Sequence, residues 1–231
     1  MTDEEERMSE KKAAIGIHHL IVLGAAWGLA EAALGLGLQR CASLASGSIM
    51  TAVALFFISA VWVATSRIIA LALTVALVTI IKLFDAYLLS LPVRHGAVAN
   101  PIFAFWTEAL AFVLIIAILK EPLAQKRTGQ AVGGALSALV AVNLFPLVKF
   151  ATGIPACVIA GTGYPQALYY APFAIGFSLI TVPLGFRVGE WIAAAEARQG
   201  AFIHGKAYRY LVAPAAAALC LLIIVLIRLA G

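Results

Sequence analysis

Residues 68–91 read IIALALTVALVTIIKLFDAYLLSL. Up to Ile81 nothing in the run is more polar than threonine. A helix on the surface of a soluble domain needs one apolar stripe and shows water a polar face. This run has no polar face, and it exceeds the roughly 20 apolar residues that cross a bilayer as a helix. Lys82 and Asp85, late in the run, are the exceptions that need a reason.

Six more stretches repeat the pattern: 17–38, 49–65, 101–119, 131–150, 167–186 and 211–229. Hydrophobic residues make up 63% of the 231 residues and charged residues 12%, against about 45–50% and about 25% in a soluble domain. A soluble globule of this length has too little interior for so much apolar surface. Disorder needs the opposite composition. A transmembrane barrel would alternate apolar and polar residues in segments of about ten. The fold predicted is all-α: a polytopic membrane helical bundle with a six-span core over 17–189 and a seventh, C-terminal transmembrane helix within 211–231. Residues 1–16 read as a cytosolic tail. The stretch 151–166, rich in Gly and Pro yet fairly apolar, reads as a structured loop or re-entrant cap. Residues 190–210 read as an interfacial helix on the inner face or as a solvated connector.

The net charge of +5 forms no dense basic stripe, so nucleic acid is not an expected partner. In a membrane protein, Lys and Arg report orientation instead. With the N-terminus inside, the inner segments hold Arg7, Lys11, Lys12, Arg67, Lys120, Lys126, Arg127, Arg187, Arg198, Lys206 and Arg209. The outer segments hold Arg40, Arg94, Lys149 and Arg228. This bias predicts a multi-pass protein of the cell membrane with a cytosolic N-terminus and an outer C-terminus. A secretory signal cleaved near Ser43-Leu44-Ala45 is the rival reading; the apolar run before it is long and contains Glu31, which argues against it.

Charges within a bilayer are costly, so each is a candidate functional group. At about 1.5 Å of rise per residue, Glu31 and Glu108 lie about 10 Å below the outer ends of their spans, Asp85 about 9 Å and Lys82 about 13 Å. Asn143 in the fifth span falls at a similar depth. Three helices thus place charges in one slab of the outer leaflet, and a fourth adds an amide. Such a slab is either a polar pocket open to the outside or an internal charge network that fixes helix register. Lys82 and Asp85, three apart, share a helix face and can pair. The other carboxylates are then neutralised by protonation or by a cationic group on a ligand, which leans toward a cationic or zwitterionic molecule. Trp27, one turn below Glu31, reads either as a stacking ring for a flat ligand or as packing.

Other features carry less. His18 and His19, adjacent on a helix, diverge by about 100° and make no chelating pair. The three cysteines form no metal pattern. Cys41 and Cys157 both fall in predicted outer loops, where a disulfide or free thiols are open alternatives. No metal and no cofactor is expected. The pairs Gly24/Gly28 and Ala26/Ala30 allow a helix to approach closely, either a partner's or one of this bundle.

The face formed by Ala26-x-x-x-Ala30, the run Trp27-Gly28-x-x-Glu31-x-x-Leu34-Gly35, the pair Ile81-Lys82, and Asn100-Pro101 leading to Glu108 together resemble the substrate-binding S component of an energy-coupling factor (ECF) transporter. The resemblance covers roughly Ile17 to Arg187. It implies a six-helix bundle that binds a vitamin or similar micronutrient near the outer face. It implies docking of the first helix, through Ala26 and Ala30, on a transmembrane coupling subunit driven by cytosolic ATPases. Glu31, Lys82 and Glu108 would line the pocket. The seventh span departs from the family plan.

No Walker A loop, HExxH helix or GxSxG elbow is present. An intramembrane hydrolase using Glu31 and Glu108 lacks His and Ser at their depth. The protein is therefore not expected to be an enzyme. A secondary or proton-coupled carrier, and a structural subunit with locked charges, remain the alternatives to the S-component reading.

Overall fold

Backbone that crosses hydrocarbon must satisfy its N–H and C=O groups within its own segment, so apolar runs of this length fold as helices. The computed structural model describes residues 17–37, 44–124, 126–154, 156, 158–159, 161–199 and 205–230. Its helices are α1 (Ile17–Gly37), α2 (Leu44–Thr65), α3 (Ile68–Leu88), α4 (Gly96–Ala124), α5 (Arg127–Leu144), the short α6 (Val148–Thr152), α7 (Gln166–Gln199) and α8 (Gly205–Ala230). The described residues contain no strand beyond an isolated bridge between Val158 and Pro165. Cys41 and Cys157 lie outside the described residues.

Among the described residues, six helical segments are long and apolar enough to cross a membrane: Ser46–Thr65, Ile68–Leu88, Gly96–Leu119, Arg127–Thr152, Gln166–Ala195 and Leu211–Leu229. They are consistent with a multi-pass membrane protein, and the C-terminal helix is among them. α1 is 21 residues long. Apolar side chains face outward in register, as at Leu110, Leu114 and Ile118 on α4 and Leu219, Leu222, Leu226 and Leu229 on α8. An i, i+3/i+4 stripe of that kind on the outside suits lipid.

Several boundaries differ from the sequence reading. α4 begins at Gly96, before Pro101, which stands in its second turn and forfeits the one helical hydrogen bond its N–H would have given to the Ala97 carbonyl. The fifth span tightens into a 3-10 turn at Phe145–Leu147, where Pro146 removes a backbone donor. α7 runs unbroken through residues 190–199, so the first half of the expected interfacial stretch prolongs the sixth span. Residues 205–210 open α8, and 200–204 lie outside the described residues.

Packing depends on small residues. A Cβ on Gly185 of α7 would collide with the Ser59 hydroxyl and the Phe56 carbonyl of α2, and one on Gly189 would lie 2.6 Å from the Ala60 carbonyl oxygen. α7 therefore lies backbone against backbone on α2, the close approach that a G-x-x-x-G spacing permits. On α1, a Cβ at Gly24 would meet Leu77 of α3 at 2.8 Å, and one at Gly28 would meet Ile81 at 2.7 Å. The Gly24/Gly28 face expected to receive a partner is thus filled by α3. Ala26 and Ala30 are half-buried.

The main core gathers Trp27, Leu55, Ile58, Phe105 and Phe112 from α1, α2 and α4. Trp27 is 0% exposed. Its ring stacks parallel to Phe57 at 6.1 Å and meets Phe105 edge-on at 5.4 Å. A second, smaller cluster seats α8 on α1 and α3 through Ile224, Ala25, Ala32 and Ile81.

Candidate functional site

A cavity of about 740 Å³ opens at one end of the bundle. Its wall is built from the C-terminal ends of α1, α3 and α8 and the N-terminal ends of α2, α4 and α7, with Phe145 from the 3-10 turn after α5 and Leu91 and His95 from the α3–α4 connection. The charge bias of the sequence predicts that this end faces away from the cytosol. The volume lies within the roughly 300–1,000 Å³ of small-molecule sites.

Helical periodicity delivers the polar groups. On α3 the buried face carries Val75, Val78, Ile81, Lys82 and Asp85, so the two charges point inward with the apolar residues below them. On α4, Phe105, Glu108 and Phe112 share one buried face. On α1, Glu31 follows Trp27 by one turn. Glu31, Lys82, Asp85 and Glu108 all line the cavity, and they are 5%, 8%, 2% and 4% exposed.

A fifth charge, Arg228 of α8, also lines it. Ile224 is fully buried against α1, and Arg228, four residues on, points the same way. The guanidinium holds Asp85 with two hydrogen bonds: Nε donates to Oδ1 at 2.6 Å and Nη2 to Oδ2 at 2.9 Å. Nη2 also donates to the Ala32 carbonyl oxygen at 3.3 Å. Lys82 Nζ lies 3.7 Å from Asp85 Oδ2, the local pair that the i, i+3 spacing allows. Asp85 is therefore shared by two cations, and Lys82 is not the lone cation of the slab. Sequence reasoning placed Arg228 on the outer flank of the last span. The imbalance of three carboxylates against one lysine was the signal that a second cation was owed.

The two glutamates are served differently. Glu108 lies within electrostatic reach of Glu31 and is hydrogen-bonded by the Thr51 hydroxyl of α2. Glu31 lies within electrostatic reach of Lys82 and Asp85, but among the described residues no donor reaches its buried Oε2. Arg228 Nη1 is likewise buried without a partner. Such groups are costly unless something satisfies them. The rest of the wall is largely apolar or aromatic, with Met50, Phe105, Phe145 and Tyr170.

Two expected site residues stand apart. Asn143 is exposed, and its amide donates to the Leu139 carbonyl one turn back at 2.7 Å; its depth agrees with the slab, but its side of the helix does not. Trp27 is packed behind Phe105, and only Phe105 reaches the cavity. Among the described residues, no group of three or more His, Cys, Asp or Glu is arranged to hold a metal ion.

The fold and site define an all-helical, membrane-like protein with a polar-floored cavity at one end of its bundle. Compared with protein-family models, with curated proteins and with solved structures, the chain matches none.

Proposed function

We propose that the protein is a membrane-embedded binding subunit that captures a small organic molecule in this cavity for uptake driven by partner ATPases, in the manner of the ECF S component it resembles. One observation carries the reading. Glu31, Lys82, Asp85, Glu108 and Arg228, from α1, α3, α4 and α8, line a single cavity of ligand size, and two of the buried polar atoms are left without partners. A charge network built only to lock the bundle would close on itself. This one leaves an open end in each half: Lys82–Asp85–Arg228 ties α3 to α8 but leaves Arg228 Nη1 without a partner, and the Glu31–Glu108 half leaves Glu31 Oε2 without one.

The test is to purify the protein in detergent, denature it, and identify released small molecules by mass spectrometry. A molecule at near-stoichiometric amount is expected, and it should be lost from Glu31→Gln protein that elutes and melts as a folded species. Wild-type protein that releases nothing would sink the reading. Uptake that runs on a proton gradient without any ATPase would replace it with a secondary carrier.

A further inference from the structure

We propose that the ligand of this cavity is a small organic cation whose N–H-bearing group sits between Glu31 and Glu108. The inference rests on the binding reading above and adds the charge class of the ligand and the subsite that sets it.

Charge within the cavity is unevenly spent. Asp85 takes both hydrogen-bonding edges it needs from Arg228, at 2.6 and 2.9 Å, and lies 3.7 Å from Lys82. That corner holds two cations and one anion in contact, and a further cation has nothing to gain there. Glu31 and Glu108 line the same cavity and lie within electrostatic reach of each other. Glu31 lies within electrostatic reach of Lys82 and Asp85, and among the described residues neither glutamate has a cation in salt-bridge contact. Two buried carboxylates within electrostatic reach repel when both are ionised, and a cation between them relieves both. Glu31 Oε2, on a side chain 5% exposed, lines the cavity and has no donor. Thr51 supplies the Glu108 carboxyl with a hydroxyl; Asn100, Gln166 and Tyr170 also line the cavity, but none of them donates to Glu31 Oε2. An N–H on the ligand is the donor that would satisfy it. An ammonium, amidinium or protonated ring N–H provides charge and donor together, and the aromatic faces of Phe105 and Tyr170 suit a flat cation.

Three probes of one shape and different charge separate the possibilities: benzamidine, benzamide and benzoate, each at millimolar concentration with dialysed full-length protein in detergent. A ligand that binds the folded state raises the melting temperature with the logarithm of its concentration. Benzamidine is expected to raise it, benzamide and benzoate not. The shift should vanish in Glu31→Gln and in Glu108→Gln. Should either variant fail to fold, Ala104→Phe, which fills the cavity and leaves every charge in place, should abolish the shift as well. Absence of a benzamidine shift overturns the inference, as does a shift retained in the glutamine variants. A shift with benzoate alone overturns the cation and leaves the cavity a binding site. The mass-spectrometric release of a bound molecule tests the binding reading separately, so the two fail by different measurements.

Discussion

At the scale of the residue, Arg228 and Asp85 explain most about how the charges are arranged. A buried ion pair is weak evidence of net stability, because desolvating both ions opposes their attraction. Removing one partner is another matter, since it strands the other in a low dielectric. Arg228→Leu leaves Asp85 with Lys82 at 3.7 Å and no bidentate partner. It is expected to lower stability by about 3–5 kcal/mol. Combining it with Asp85→Asn should cost clearly less than the two single losses added together, and a double-mutant cycle on thermal unfolding in detergent measures that coupling. Strictly additive losses would show that the pair contributes nothing as a pair. Arg228→Lys should recover only part of the stability, because an ammonium cannot present two parallel donors to one carboxylate.

At the scale of the element, α7 shows how little room there is between these helices. Gly185 has the Ser59 hydroxyl and the Phe56 carbonyl where a Cβ would stand. Backbone of α2 cannot yield as a flexible side chain can. Gly185→Ala is therefore expected to destabilise by about 1–3 kcal/mol through overpacking. Gly176, on the same helix, has nothing within 4 Å of its would-be Cβ. Gly176→Ala should change stability by no more than about 0.5 kcal/mol. The pair of variants, unfolded side by side, separates helix packing from helix propensity, which is altered alike in both. Equal behaviour of the two would mean that α2 and α7 do not approach as closely as described. α8 differs from α7. It touches the bundle along one stripe around Ile224, and among the described side chains its charged hold is Arg228, so the cavity wall it completes depends on a helix with lipid-facing residues over much of its surface.

At the scale of the whole molecule, the connections sort to two ends. The turn at Ser66 and Arg67 and the α4–α5 junction at Lys126 lie at the end away from the cavity, while His95 and Gly163 lie at the cavity end. If the bundle spans a bilayer, single cysteines at 95 and 163 should react with a membrane-impermeant maleimide from one side of sealed vesicles, and those at 66 and 126 from the other. The background for this test carries replacements of Cys41, Cys157 and Cys220. The excess of Lys and Arg on the N-terminal side predicts that positions 95 and 163 label from outside intact cells. Labelling of all four positions from one side would refute a spanning bundle.

What the sequence determined by itself was composition, periodicity and depth. Rise along a helix is a constant, so Glu31, Lys82, Asp85 and Glu108 could be placed at a common level by counting residues from the span ends, and the structure brings these four to one cavity. Direction around a helix is not determined in the same way. Each residue turns by about 100°, and which side faces inward depends on which neighbours pack there. Asn143 shares the depth and faces out; Trp27 shares a face with Glu31 and lies behind Phe105. Arg228 reads in sequence as the flank of a last span, and only the seating of Ile224 on α1 turns it onto Asp85. Hydropathy reports how far a side chain sits from water, and it carries no record of which helix stands beside it. That adjacency, set by the fit of Gly185 on α2 and Gly28 on Ile81, was decided by tertiary packing alone.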